Sequence, residues 1–301
     1  MTVPAILVLG NVNVDLVLGE VDGWPAIGTE VMVDRCEMRA GGSAGNTALA
    51  LTGLGVAHLL IAATGDDPNG EWLREQFDET CCEWIVDPGD TTITVGIVHK
   101  GGDRAFFTTP GHLQRAKTTD ILLRLPEAPN GNACAIISGG FLMPDIMDDT
   151  SILLDALHAK GWLTALDPGW PPQGWTEKTR STMRRWLAKS EFAMLNEDEA
   201  LGYTGLDGLD EAAERIAQAI GSEHTLVLKL GEKGASVYSR GMHLKMPAPA
   251  VQVIDTVGAG DTFNAAFLAS ISAGGSLETA LSSAVQSSAR AISTYPRSYD
   301  R

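Results

Sequence analysis

Asp255-Thr256-Val257-Gly258-Ala259-Gly260-Asp261 follows an apolar run at 251–254 and leads into a helix-forming stretch at 262–271. The expected order is strand, glycine turn, helix start. The first amides of a helix have no partner inside it, and the macrodipole adds partial positive charge there, so such a turn suits an anion. Gly258 and Gly260 would let the backbone come close to a phosphate. Asp261 is out of place in a phosphate cradle unless it has other work. As a general base it would take a proton from an attacking hydroxyl, while the amides of Gly258, Ala259 and Gly260 neutralise charge on a transferred phosphoryl group. An Asp at a helix start is also an ordinary cap, so the segment gains meaning only from what the rest of the chain places around it.

At the other end of the chain, an apolar run at 5–9 stops at Gly10. Asn11, Asn13 and Asp15 then alternate with Val12, Val14 and Leu16, which puts three polar side chains on one strand face. Residues 19–39 mix Gly, Pro and short β-prone pieces such as Glu30-Val31-Met32-Val33. Gly41-Gly42-Ser43-Ala44-Gly45-Asn46 is a second glycine turn opening a helix, without the G-x-G-x-x-G spacing of a dinucleotide site. A strand at 58–63 and a helix at 69–77 follow. Residues 91–109, turning at Gly101-Gly102-Asp103 and carrying Arg104, describe a hairpin that stands outside the main sheet; His112, just beyond, is expected in a turn.

Buried strands are expected at 133–138, 162–166, 191–195 and 225–230. Each runs into polar or glycine residues: Gly139-Gly140, Asp167-Pro168, Asn196-Glu197-Asp198-Glu199 and Gly231-Glu232-Lys233-Gly234. Ligands of open α/β sheets collect at such strand ends. Taken alone, the acidic run from Asn196 is capping chemistry, and Lys229 and Lys233 are expected at the surface. A hairpin at 235–246 and an Ala- and Ser-rich helix at 276–293 complete the pattern.

The chain of 301 residues carries 22 Lys plus Arg against 38 Asp plus Glu, a net charge of −16. Such a surface repels nucleic acid and anionic membranes. The four cysteines have no zinc-like spacing, which points to reduced thiols and a cytoplasmic location, and the apolar start reads as a first strand, with no signal peptide or membrane span.

In order, G-N-V-N-V-D at 10–15, G-G-x-x-x-N-x-A from Gly41, the hairpin, N-x-x-E from Asn196, L-G-x-x-G from Leu230 and D-T-x-G-A-G-D from Asp255 resemble the ribokinase-like (PfkB) carbohydrate kinases over nearly the whole chain. The resemblance implies a doubly wound, mainly parallel α/β sheet between helices, as one domain over 1–301 with a small β lid from roughly 12–38 and 90–110. It implies an ATP-dependent kinase acting on a hydroxymethyl group of a sugar or sugar-like acceptor, with Asp261 as base and Gly258, Ala259 and Gly260 as anion hole. Asn13, Asp15, Gly41, Gly42 and Asn46 would grip the acceptor, with Arg104 as a further contact. Asn196, Lys229, Gly231, Gly234 and Thr256 would face ATP; Asn196 and Glu199 would organise Mg²⁺; Asp167 would stand behind the phosphate region. Asp255 would serve a monovalent cation such as K⁺, although Tyr295-Pro296-Arg297-Ser298 departs from the glycine loop that completes that site in the family. Ser43 stands where ribokinases often have Lys, so ribose does not follow as the acceptor. A nucleoside or vitamin kinase on the same fold is the alternative, then a non-catalytic sugar- or nucleotide-binding regulatory protein. A homodimer through the lid is also implied.

Overall fold

A computed structural model describes residues 4–100, 104–129 and 131–294. Strand β1 (Ile6–Gly10) lies fully buried in the middle of a nine-stranded sheet. Its neighbours are β4 (His58–Gly65) and β8 (Cys134–Ser138), both parallel to it. Beyond β4 lies β5 (Cys82–Asp87); beyond β8 come β9 (Leu163–Asp167), β10 (Phe192–Asn196), β11 (Thr225–Lys229), and antiparallel β12 (Ala235–Ser239) and β13 (Met242–Met246). Chain order reverses at β1, so the crevice at the C-terminal ends of β1 and β8 is the switch point where such sheets take ligands.

Two apolar layers sandwich the sheet, and they explain why its central strands are nearly continuous Val, Ile and Leu. On one face pack α4 (Pro144–Ala159), α5 (Glu177–Leu187), α6 (Glu197–Thr204) and α7 (Leu209–Ile220), through residues such as Leu153, Trp186 and Ile216. On the other pack α1 (Ser43–Gly53), α8 (Ala259–Ser272) and α9 (Leu277–Ser293), through Leu51, Phe267 and Leu281. The helix read at 69–77 is α2 (Pro68–Glu75), with Pro68 in its first turn and Asp67 capping the Gly70 amide at 2.8 Å.

A second sheet of four strands forms the lid, in the order β3 (Arg35–Gly41), β2 (Asn13–Val21), β6 (Ile93–His99), β7 (Arg104–Thr108). The turn at 101–103 is outside the described residues. Two strand expectations are corrected. Residues 30–33 are β-prone but unpaired, in the connection between β2 and β3, and Val31 and Met32 are left exposed. The apolar run at 251–254 is also no strand: the Ile254 and Asp255 amides donate to the Ile292 carbonyl at 2.8 and 3.2 Å, and Val253 and Ile254 lie exposed.

His112, expected in a turn, opens a short 3-10 helix and is fully buried at the lid's base. The Thr92 amide donates to Nδ1 at 3.0 Å, so Nε2, 3.1 Å from the Val12 carbonyl, carries the proton of a neutral ring. Burial pushes its pKa down to about 4. The unfolded chain therefore takes this proton first. Stability is complete above the unfolded value of about 6.5 and declines as pH falls toward 4, by about 2 kcal/mol between pH 7 and 5. Urea unfolding at the two pH values checks this; His112→Gln is expected to remove that share of the pH slope.

Candidate active site

Where the sheet's apolar face gives out, Ser138, Asp167, Asn196 and Lys229 end four neighbouring strands, β8 to β11. Helix α8 begins above them. Lys229 Nζ donates to Asp167 Oδ2 at 2.7 Å, and the same oxygen accepts from Asn264 Nδ2 on α8. Lys229 is thus no surface lysine. Its ammonium is buried, and although burial works against the charge, Asp167 and Glu199 more than offset it, so its pKa is raised. A β-carbon added at Gly260 would sit 3.6 Å from Lys229 Nζ, which places this fixed charge directly behind the glycine turn.

The turn itself has the form its sequence predicts. Gly258 caps α8 in the left-handed conformation (φ 72°), Ala259 and Gly260 open the helix, and the Ala259 amide donates to the Thr256 carbonyl at 3.2 Å. Asp261, in the first turn of α8, accepts from Asn46 Nδ2 on α1 at 2.9 Å, across 215 residues of chain.

Asn46 starts from an equally constrained place. Gly42 caps α1 with φ 83° and ψ 146°, and a β-carbon there would lie 2.4 Å from the Asn11 carbonyl oxygen, so only glycine is accommodated. The adjacent Ser43 amide donates to Asn11 Oδ1 at 3.1 Å. On the lid, Asn13 Nδ2 donates to Asp15 Oδ1 at 2.6 Å and to Thr94 Oγ1 at 3.1 Å. Burial lifts the Asp15 pKa to about 6, against the lowering effects of Asn13 and Arg39. A β-carbon at Gly41 would overlap the Asp15 carboxylate, so this glycine gives Asp15 its space.

Asn196 and Glu199 form a reciprocal cap on α6: the Glu199 amide donates to Asn196 Oδ1 at 2.8 Å, and the Asn196 amide to Glu199 Oε2 at 2.9 Å. Glu199 is nonetheless 3% exposed, deeper than an ordinary cap. Burial first, then the charges of Asp167 and Asp261, hold its pKa above the usual carboxylate range, with Lys229 pulling the other way. Gly231 and Gly234 bound the turn after β11, where Gly234 is also required by the Met246 carbonyl, 2.0 Å from where its β-carbon would be. Lys233 is exposed and pairs with Glu197. Arg104 begins β7, but its side chain is outside the described residues.

Several contributors escaped the sequence reading. Arg39, on β3 opposite Asp15, donates to Asp255 Oδ2. Asn11 holds the α1 start, Thr94 supports Asn13, and Asn264 ties α8 to Asp167. The signals were present: Arg39 stands two residues before Gly41, and Asn264 three after Asp261.

A doubly wound sheet with a β lid, a glycine turn at a helix start and a carboxylate held beside it define the class of lidded α/β phosphotransferases. The chain belongs to the pfkB family of carbohydrate kinases, whose model matches residues 4–297. It is 32% identical over 241 residues to a fructokinase of Rhizobium leguminosarum bv. trifolii, covering 77% of this chain and 71% of that one. It is 29% identical over 282 residues to an ATP-dependent ribose-1-phosphate kinase of Halopiger xanaduensis, covering 92% and 88%. Its fold is similar to that of Arabidopsis thaliana ribokinase complexed with ribose and ATP, with a TM-score of 0.77 at 21% identity over 98% of this chain and 94% of that chain. Adenosine kinase from Sinorhizobium meliloti gives 0.78 at 22% identity over 97% and 95%. The protein is a kinase of the sugar and nucleoside type. Among the described residues no helix is long and apolar enough to cross a membrane.

Proposed function

We propose that this protein transfers the γ-phosphoryl group of ATP to a hydroxymethyl group of an unphosphorylated sugar or sugar-like acceptor. The observation that carries this is the Asn46–Asp261 hydrogen bond of 2.9 Å, which joins the start of the acceptor helix to the start of the anion-turn helix. An acceptor hydroxyl gripped by Asn13, Asp15, Asn46 and the Gly41-Gly42 backbone would thereby meet Asp261. Asp261 orients it and takes its proton late, as phosphoryl transfer advances, while the amides of Gly258, Ala259 and Gly260 meet the transferring oxygens. Thr256, Gly231 and Gly234 would lie along the nucleotide, Lys229 supports the turn from behind, and Arg104 remains the further acceptor contact that the resemblance implies.

Mg²⁺ fits the acidic side of this site. Burial first, and then the charges of Asp167 and Asp261, raise the Glu199 pKa, and a hydrated divalent ion held through Asn196 and Glu199 would offset that negative charge and shield the triphosphate. The unphosphorylated acceptor is favoured because the lid arginines near Asp15 are committed: Arg35 to Glu37, and Arg39 to Glu37 and Asp255.

ADP release from ATP and Mg²⁺ across pentoses, hexoses, keto-acids, nucleosides and sugar phosphates tests the reading, with Asp261→Asn beside each. An acceptor-dependent signal lost in the variant supports it; silence with measurable sugar binding would support a binding protein instead. The acceptor's kcat/KM is expected to fall as pH drops through about 6, where Asp15 takes a proton and loses the charge that strengthens its hold on acceptor hydroxyls. A pH profile of Asp15→Asn lacking that acid limb checks the assignment.

The lid's outer face supports a homodimer. Met38, Leu16, Val95 and Phe107 stand in register across its four strands, with Met38 44% and Phe107 54% exposed. Sedimentation equilibrium is expected to show a dimer that Met38→Glu dissociates.

A further inference from the structure

The family resemblance implies a monovalent cation at Asp255, and the described residues around Asp255 do not fit one. Its Oδ2 accepts from Arg39 Nη1, and Arg35 Nη2 lies 3.8 Å from the same oxygen. Its Oδ1 accepts the Val257 amide at 3.0 Å, the bond that shapes the entry to the glycine turn. Both carboxylate oxygens are engaged, and one is engaged by a permanent positive charge. A metal cation on Oδ2 would stand against a guanidinium, where like charges repel. The pair is largely removed from water, with side-chain exposures of 19% for Arg39 and 15% for Asp255.

Arg39 is also held in place. Glu37 accepts from its Nε at 2.6 Å and its Nη2 at 2.7 Å, and from Arg35 Nη2 at 2.8 Å. The fork is therefore aimed before any ligand arrives, as suits a group whose donors leave in fixed directions.

We infer that Arg39 is a positioning residue that takes the place of the monovalent cation at the phosphate turn, so that transfer needs no added K⁺. The inference rests on the kinase reading of the same turn. Its consequence is a coupling that a free ion could not provide. Arg39 sits on lid strand β3 directly opposite Asp15, the acceptor ligand, and its guanidinium neutralises the first residue of the turn that holds phosphate. The counter-charge for the turn thus arrives with the lid and the acceptor grip, and the anion site is completed only when the lid strand is in place.

The experiment compares wild type, Arg39→Ala and Arg39→Lys in KCl and in tetramethylammonium chloride at equal ionic strength, by ADP release and by thermal melting of the ligand-free protein. Wild-type turnover is expected to agree within about two-fold between the salts, and its melting temperature to be unchanged. Arg39→Ala is expected to lose about ten-fold or more of its turnover in tetramethylammonium and to regain part of it in KCl, with a KCl-dependent rise in melting temperature as K⁺ supplies the positive charge that Arg39 brought to Asp255. Arg39→Lys is expected to fall between the two. Rescue by K⁺ is what a merely structural arginine would not show. Saturable activation of wild type by K⁺, or Arg39→Ala with full turnover in both salts, would overturn the inference. If no acceptor gives ADP, the kinase reading fails by itself, and melting still decides here: a K⁺-dependent rise in wild type, or none in Arg39→Ala, overturns the inference.

Discussion

Asp261→Asn is expected to lower turnover about 10³-fold while changing ATP affinity by less than about three-fold. The substitution preserves shape, and the new amide oxygen can still accept from Asn46 Nδ2, so the two helix starts stay joined. It loses the second carboxylate oxygen's lone pairs and the negative charge. The amide that replaces them donates, so a hydroxyl placed there has nowhere to send its proton as the phosphoryl group arrives. On the proposed reading ATP affinity survives because the turn's backbone amides, which would meet the phosphates, are not altered by the side chain. Single-turnover ADP formation, with ATP binding measured separately by calorimetry, separates the two effects. Near-normal turnover would remove Asp261 from the chemistry.

Lys229→Met is expected to destabilise the fold by about 3–5 kcal/mol, the cost of leaving one half of a buried ion pair alone. Asp167 would keep only the Asn264 amide, and Glu199, whose ionisation Lys229 assists, would be pushed further toward its neutral form. Because Glu199 then titrates higher in the folded state than in the unfolded one, the destabilisation is largest above its folded pKa and eases as pH falls through it. Lys229→Met combined with Asp167→Asn removes both charges and is expected to recover much of the loss in urea unfolding. ATP affinity should stay low in both variants, since the fixed charge behind Gly260 is absent from each. Wild-type ATP affinity in the double variant would confine Lys229 to a structural role.

These two residues show how differently sequence speaks about chemistry. The glycine turn that carries Asp261 was legible because its form is local: two glycines, a helix start and an acid within four residues. Asn196 and Glu199 were legible for the same reason, as partners in one helical turn. Lys229 was not, because nothing in its neighbours says which face of β11 it lies on or that Asp167 awaits it 62 residues away. His112 looked like a turn residue because glycine and proline precede it, while its burial comes from Val12 and Thr92.

Local order therefore determined a good deal of this protein: alternating strands and helices, a β hairpin apart from them, and glycine turns suited to anion and acceptor. Whether 30–33 and 251–254 become strands was decided elsewhere, since a β-prone run becomes a strand only where the fold brings it alongside a partner strand. Pairing across the fold likewise decided that Asn46 meets Asp261, that Lys229 is buried against Asp167, and that Arg39 closes on Asp255. Hydrophobic periodicity and turn chemistry act over a few residues and can be read along the chain. Burial and charge pairing depend on which distant segments share a space, and only the folded chain sets that.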